Sequence, residues 1–139
     1  MKASELRIGN IVGRRDIGNG ELRTETIIEL LEGKATTSGP IKVICPYDDL
    51  LPIPLTEEWL LRFGATKSYE NWQYTIPIGG ISLHLRRNMQ WYSELGGIYL
   101  GSKIQYVHQL QNLYYVLASE ELMITEPHSS ADSNRNENL

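Results

Sequence analysis

Two arginine pairs, three histidines, one cysteine and the carboxylate pairs Asp48-Asp49 and Glu57-Glu58 are the side chains of this chain whose types and places suit chemistry. The arginines are the most informative. Arg14-Arg15 and Arg86-Arg87 are the only neighbouring basics, and the second pair is followed by Trp91, Tyr92 and Tyr99. A guanidinium is a planar donor fork that matches carboxylates, phosphates and aromatic faces. On an open sheet face, such groups beside aromatic rings can pair phosphates and stack bases. A solvated sheet face with the same residues needs no ligand. Ser82, His84 and Arg86 alternate with Ile81, Leu83 and Leu85. The apolar set must face the interior, so the polar set points away from it. Ser82, His84 and Arg86, with Arg87, are the candidate binding residues.

The other groups point away from catalysis. A metal centre needs three or four His, Cys, Asp or Glu ligands at closed spacing. His84, His108 and His128 form no His-x-x-x-His, Cys45 stands alone, and no metal is expected. His108 is expected on a helix surface, bonded to a neighbour such as Asn112 one turn on. A reactive thiolate needs a base or an electropositive setting. Cys45 has neither beside it in sequence and reads as a core residue. As the only cysteine it has no intrachain partner, which fits a reducing compartment. Acid–base carboxylate pairs need one buried member. Asp48-Asp49 falls in a turn and Glu57-Glu58 in a first helical turn, both solvated settings. Gly79-Gly80 and Gly96-Gly97 lack the Lys-Ser/Thr of a phosphate loop and read as hairpin turns. No cofactor and no catalytic residue are expected.

The elements that position these residues follow from spacing. Leu6–Val12 is strand-like with a break at Gly9-Asn10. Asn19-Gly20 is a hairpin signal, because both turn positions need positive φ. Leu22, Thr24, Thr26, Ile28 and Leu30 alternate, which favours a strand, although Ile27, Ile28, Leu30 and Leu31 also fit a helix face. Glu32-Gly33 and Gly39-Pro40 turn the chain twice more. Four or five short strands over residues 1–55 predict a small β-barrel of the SH3 type.

Residues 56–125 predict a helix, a meander and a second helix. Thr56 is a good N-cap, with Glu57 and Glu58 in the first turn, and Trp59, Leu60 and Phe63 form the apolar side. Alternation over 72–78, 81–86, 89–95 and 98–100 predicts a four-stranded antiparallel meander with one apolar face. Ile104, Val107, Leu110, Tyr114 and Leu117 recur at helical spacing, and Ser102 with Gln105 reads as a capping box. This predicts a long C-terminal helix over 102–117 covering one face of the meander. Leu122–Thr125 fits an added edge strand. Residues 126–139, nearly devoid of apolar side chains, predict a disordered tail. The expected class is thus α+β.

Three segments carry a resemblance. Glu5-Leu6-Arg7-Ile8-Gly9-Asn10, the stretch Pro52–Gly64 (PIPLTEEWLLRFG) and the run from Tyr106 (YVHQLQNLYYVL) resemble a family of small uncharacterised proteins of gut bacteria, their phages and mobile elements. The resemblance follows the order of the chain to about Leu122. It implies a genomic setting and no activity. Family members carry glycine where this chain has Ser119.

Composition bounds the function. The chain has 139 residues and a net charge of −4, from 13 basic and 17 acidic residues. That balance argues against a dedicated nucleic-acid binder, whose footprint is basic. The start has no apolar signal region, and no apolar run approaches the roughly 20 residues that span a bilayer, so the chain is expected to be cytoplasmic, with no membrane partner. The function expected is that of a non-enzymatic binding or accessory protein of mobile-element type, with another protein as partner. The alternative is a nucleic-acid-binding accessory factor. A third, less favoured, is an enzyme whose site draws on His84, His108 and acidic residues of both halves.

Overall fold

A computed structural model of the chain describes residues 1–70, 72–88, 90–101 and 104–125. It is α+β with β dominant: two antiparallel five-stranded sheets and, among the described residues, one helix of more than two turns. The chain divides into two compact units, one made of Met1–Leu55 with Ile104–Glu121 and the other of Thr56–Lys103 with the residues from Leu122 onward. No described helix is long and apolar enough to cross a membrane.

The first unit holds β1 (Ile11–Arg15), β2 (Leu22–Leu31), β3 (Lys34–Ser38), β4 (Lys42–Pro46) and β5 (Leu50–Leu51), in the order β4-β3-β2-β1-β5. Glu32-Gly33 joins β2 to β3 as a two-residue turn between the paired Leu31 and Lys34, and Gly33 takes the positive φ of 75° that such a turn requires. Alternation buries Val12, Ile27, Ala35, Cys45 and Leu50 with Leu6, and Met1, Leu30 and Tyr47 pack against them. Inside the same unit Arg14 and Glu25 form a buried two-point ion pair, Nε to Oε1 at 2.7 Å and Nη2 to Oε2 at 2.9 Å. The Thr37 hydroxyl donates to the same carboxylate at 2.5 Å.

The SH3-like barrel expected over residues 1–55 does not form. β5 has two residues and pairs only with β1, while β4 pairs only with β3, so the sheet stays open with β4 and β5 at opposite edges. The long helix is corrected as well. It is α2, Val107–Ala118, twelve residues rather than the run from 102; Ser102 lies outside the described residues. Gln109 caps it, its Oε1 accepting the backbone N–H of Gln105 at 2.8 Å and of Tyr106 at 3.0 Å. It belongs to the first unit, beside β1, and not to the unit that holds the meander. The reason is its polar residues. Gln111 accepts the Ile11 N–H at 2.8 Å and donates to the Gly9 carbonyl at 3.1 Å, and Asn10 donates to Asn112 at 2.8 Å. Val107 and Leu110 on the same helix are fully buried, a contribution of ~1.5–3 kcal/mol each before ordering entropy. The helix ends at Ser119 in the left-handed region, φ 57°, a conformation suited to glycine.

The second unit begins with α1 (Glu57–Arg62). Thr56 caps it by accepting the Trp59 N–H, and Trp59, Leu60 and Phe63 are buried, with Trp59 and Phe63 rings 5.9 Å apart. The sheet follows: β6 (Thr66–Ser68), β7 (Gln73–Ile78), β8 (Ile81–Asn88), β9 (Gln90–Leu95) and β10 (Ile98–Gly101), each paired with the next. β6 adds a fifth strand to the four expected. Its Thr-Lys-Ser sequence has no apolar alternation to reveal it. The expected edge strand at Leu122–Thr125 does not form; instead the Thr125 N–H donates to the Arg62 carbonyl at 2.6 Å. The tail expected over 126–139 lies outside the described residues.

Candidate functional site

Strand parity separates the residues that the sequence groups together. In β8, Leu83 and Leu85 are fully buried, and register places Tyr74 and Ser93 beside Leu85 and Ile76 and Leu95 beside Leu83. Ser82, His84 and Arg86 share the opposite face and are half-buried there. Arg87 is one residue further, so it lies on the face of Leu83 and Leu85, paired with Trp91 of β9. The candidate set is therefore split three against one.

Two of the three on the outer face, His84 and Arg86, are linked through their neighbours. Arg86 Nε donates to Gln73 Oε1 at 2.7 Å, the Gln73 amide nitrogen lies 2.9 Å from His84 Nδ1, and the Thr75 hydroxyl lies 3.0 Å from the same nitrogen. Glu94 stands opposite His84 in the ladder, and Tyr92 beside Arg86 contacts Tyr99, rings 6.0 Å apart. This network fixes the donors along the face of the sheet.

Arg87 stands at a cavity. Glu57, Trp72, Tyr74, Arg87 and Trp91 line a space of about 250 Å³ at the end of the buried face. Tyr74 and Trp91, both buried, meet edge to face with ring centres 5.6 Å apart. The Arg87 guanidinium lies 5.7 Å from the Trp91 ring centre, and among the described residues it has no carboxylate partner. Trp72 is 66% exposed and sits at φ 49°, a left-handed position that a bulky residue takes only at a cost.

A second cation organises the wall. Lys67 of β6 donates to Glu57 Oε1 at 2.8 Å, and its ammonium lies 4.8 Å from the Trp72 ring centre, 5.7 Å from Tyr74 and 5.2 Å from Tyr69. Its side chain is only 15% exposed. Three aromatic faces and one carboxylate thus enclose an ammonium that the chain itself supplies. Hydrogen bonds from Lys67 and from the Tyr74 hydroxyl hold the Glu57 carboxyl below its ordinary pKa. Burial, then the Glu57 charge, pushes the Tyr74 phenol up, so it stays protonated as a donor. Glu57 is paired with Lys67, whereas Arg87 meets no carboxylate among the described residues.

The remaining candidates fall elsewhere. Arg14 is buried in its pair with Glu25 while Arg15 is exposed, so the first arginine pair is also split. Cys45 is in the first unit's core, where burial raises its thiol pKa. His108 is buried, against the expectation of a helix-surface position bonded to Asn112. Its ring stacks on Tyr106 with centres 6.0 Å apart, its Nε2 lies 3.8 Å from Glu5, and its Nδ1 has no hydrogen-bond partner among the described residues. Burial lowers its pKa against the opposing pull of Glu5. His108 belongs to the first unit and His84 to the second. Among the described residues no group of three His, Cys, Asp or Glu is placed to hold a metal.

Trp91 was within reach of sequence reasoning as an aromatic after the arginine pair. Glu57, Lys67, Trp72 and Tyr74 were not, because their convergence depends on β6 and on the register across three strands. No protein-family model, curated protein or solved structure matches the chain.

Proposed function

We propose that this chain works by binding another protein, and that the second unit carries the binding site at the cavity beside Trp72. The observation that supports this most is Trp72 itself. An indole held two-thirds in solvent, at an unfavourable backbone angle, and lining a cavity with a guanidinium that meets no carboxylate among the described residues, buries little apolar surface for the fold. A partner that covers it would recover the apolar burial. The cavity, at about 250 Å³, is below the ~300–1,000 Å³ of pockets for drug-sized ligands and suits one side chain of a partner. An accessory role of mobile-element type, implied by the resemblance of the three segments, accommodates such a function.

A second reading is single-stranded nucleic acid. Trp72 and Arg87 together are a stacking platform beside a phosphate-pairing group. The net charge of −4 weighs against it. The discriminating experiment selects peptides from a random display library on the full chain and, in parallel, titrates it with single-stranded oligonucleotides. Peptides that bind the chain at least tenfold better than its Trp72→Ala variant support the protein reading. Failure to select any such peptide overturns it. Oligonucleotide binding that weakens steeply with salt favours the second reading.

A further inference from the structure

The chemistry of the cavity narrows what the partner must present. Its walls are three aromatic rings, Trp72, Tyr74 and Trp91, and two of these already meet edge to face. An inserted aromatic ring finds further edge and face contacts there, and such rings carry ~150–250 Å² of area into a pocket. The charges are unequal. Glu57 is occupied by Lys67 and by the Tyr74 hydroxyl, whereas Arg87 is exposed and pairs with no carboxylate among the described residues. The cavity edge therefore attracts an anion although the chain as a whole is acidic. Lys67 is not itself a lining residue: bonded to Glu57 and seated against Trp72 and Tyr74, it fixes the wall from behind before any ligand arrives.

We propose that the cavity anchors one aromatic side chain of an extended acidic peptide, with a carboxylate next to that residue paired to Arg87, and that Lys67 is a positioning residue for the wall. This rests on the protein-binding reading above. It also goes further, because that reading is silent on which sequences bind.

The test uses synthetic peptides titrated against the full chain by calorimetry or fluorescence. The reference peptide carries a tyrosine flanked by aspartates. One variant replaces the tyrosine by alanine, one replaces the aspartates by asparagines, and one by lysines. The alanine peptide should lose about thirtyfold in affinity, the size of a hot-spot anchor. The asparagine peptide should lose about fivefold, as expected for an ion pair at an exposed edge. The Arg87→Glu variant should reverse the preference and bind the lysine peptide better than the aspartate peptide. Lys67→Met with Glu57→Gln, which removes the wall cation without freeing a carboxylate, should weaken the reference peptide while leaving the acidic-over-basic preference intact.

Equal affinity for aspartate and lysine peptides, or no reversal in Arg87→Glu, overturns the ligand assignment. In that case library peptides that depend on Trp72 would still uphold the protein-binding reading, so the two failures are told apart. A mononucleotide that displaces the reference peptide more effectively than the free peptide does would reassign the cavity to nucleic acid and also overturn the proposal.

Discussion

The Lys67 ammonium lies 4.8 Å from the centre of the Trp72 indole, so the most exposed tryptophan near the cavity is held in place by a cation two strand positions from its hairpin. Removing that cation should act on Trp72 before it acts on the fold. Lys67→Met is expected to leave the thermal midpoint nearly unchanged and to alter the tryptophan emission by freeing an exposed indole. A large drop in midpoint with unchanged emission would mean that Lys67 supports the sheet rather than the ring.

The Arg14–Glu25 pair makes a sharper stability prediction. Both side chains are buried and joined at two points. Glu25→Gln leaves the guanidinium without its counter-charge and should destabilise by about 3–5 kcal/mol in denaturant unfolding. Replacing both together, Arg14→Met with Glu25→Leu, should cost less than Glu25→Gln alone, because no charge is then stranded.

His108 predicts a pH dependence of definite sign. Its folded-state pKa lies below the ordinary 6.5. As pH falls through that ordinary value the unfolded chain takes up the proton first, so stability should decline as pH drops below about 7. His108→Phe keeps a ring against Tyr106 and should flatten that part of the profile. The Arg14-bonded Glu25 carboxyl, whose pKa is lowered, contributes a separate loss that begins below its ordinary 4.5.

Ser119 closes α2 at φ 57°, where a Cβ is unfavourable. Ser119→Gly should stabilise the first unit by about 0.5–1 kcal/mol, measured as a rise in the denaturation midpoint. No change would indicate that relief of the left-handed strain is offset by the backbone entropy that glycine adds to the unfolded chain.

These residues also show what alternation and spacing can and cannot reveal. Leu83 and Leu85 were legible as the buried set of β8, and Val107 and Leu110 as the buried stripe of α2, because apolar periodicity reports burial directly. The side on which α2 packs was not legible. Gln111 and Asn112 look like solvent residues, yet their amides bond to Gly9, Ile11 and Asn10. A polar side chain buried by hydrogen bonding leaves no trace in a hydrophobic pattern. β6 was missed for a related reason, since Thr66, Lys67 and Ser68 form a strand by pairing with β7 rather than by burying apolar area. The separation of Arg86 from Arg87 follows from parity alone once β8 is known to run to Asn88. The convergence of Glu57, Trp72 and Trp91 needs long-range register, which no local pattern supplies.

The most direct measurement follows the N–H signals of the full chain by NMR while an aromatic, aspartate-flanked peptide is added. The indole N–H groups of Trp59, Trp72 and Trp91 give three separate reporters. Binding at the cavity predicts large shifts for the Trp72 and Trp91 indoles and for the Arg87 backbone, little change at Trp59, and little at Ser82, His84 and Arg86 on the opposite face. Saturable shifts confined to Ser82, His84 and Arg86, with both cavity indoles unmoved, would contradict the assignment and place the site on the outer face of the sheet.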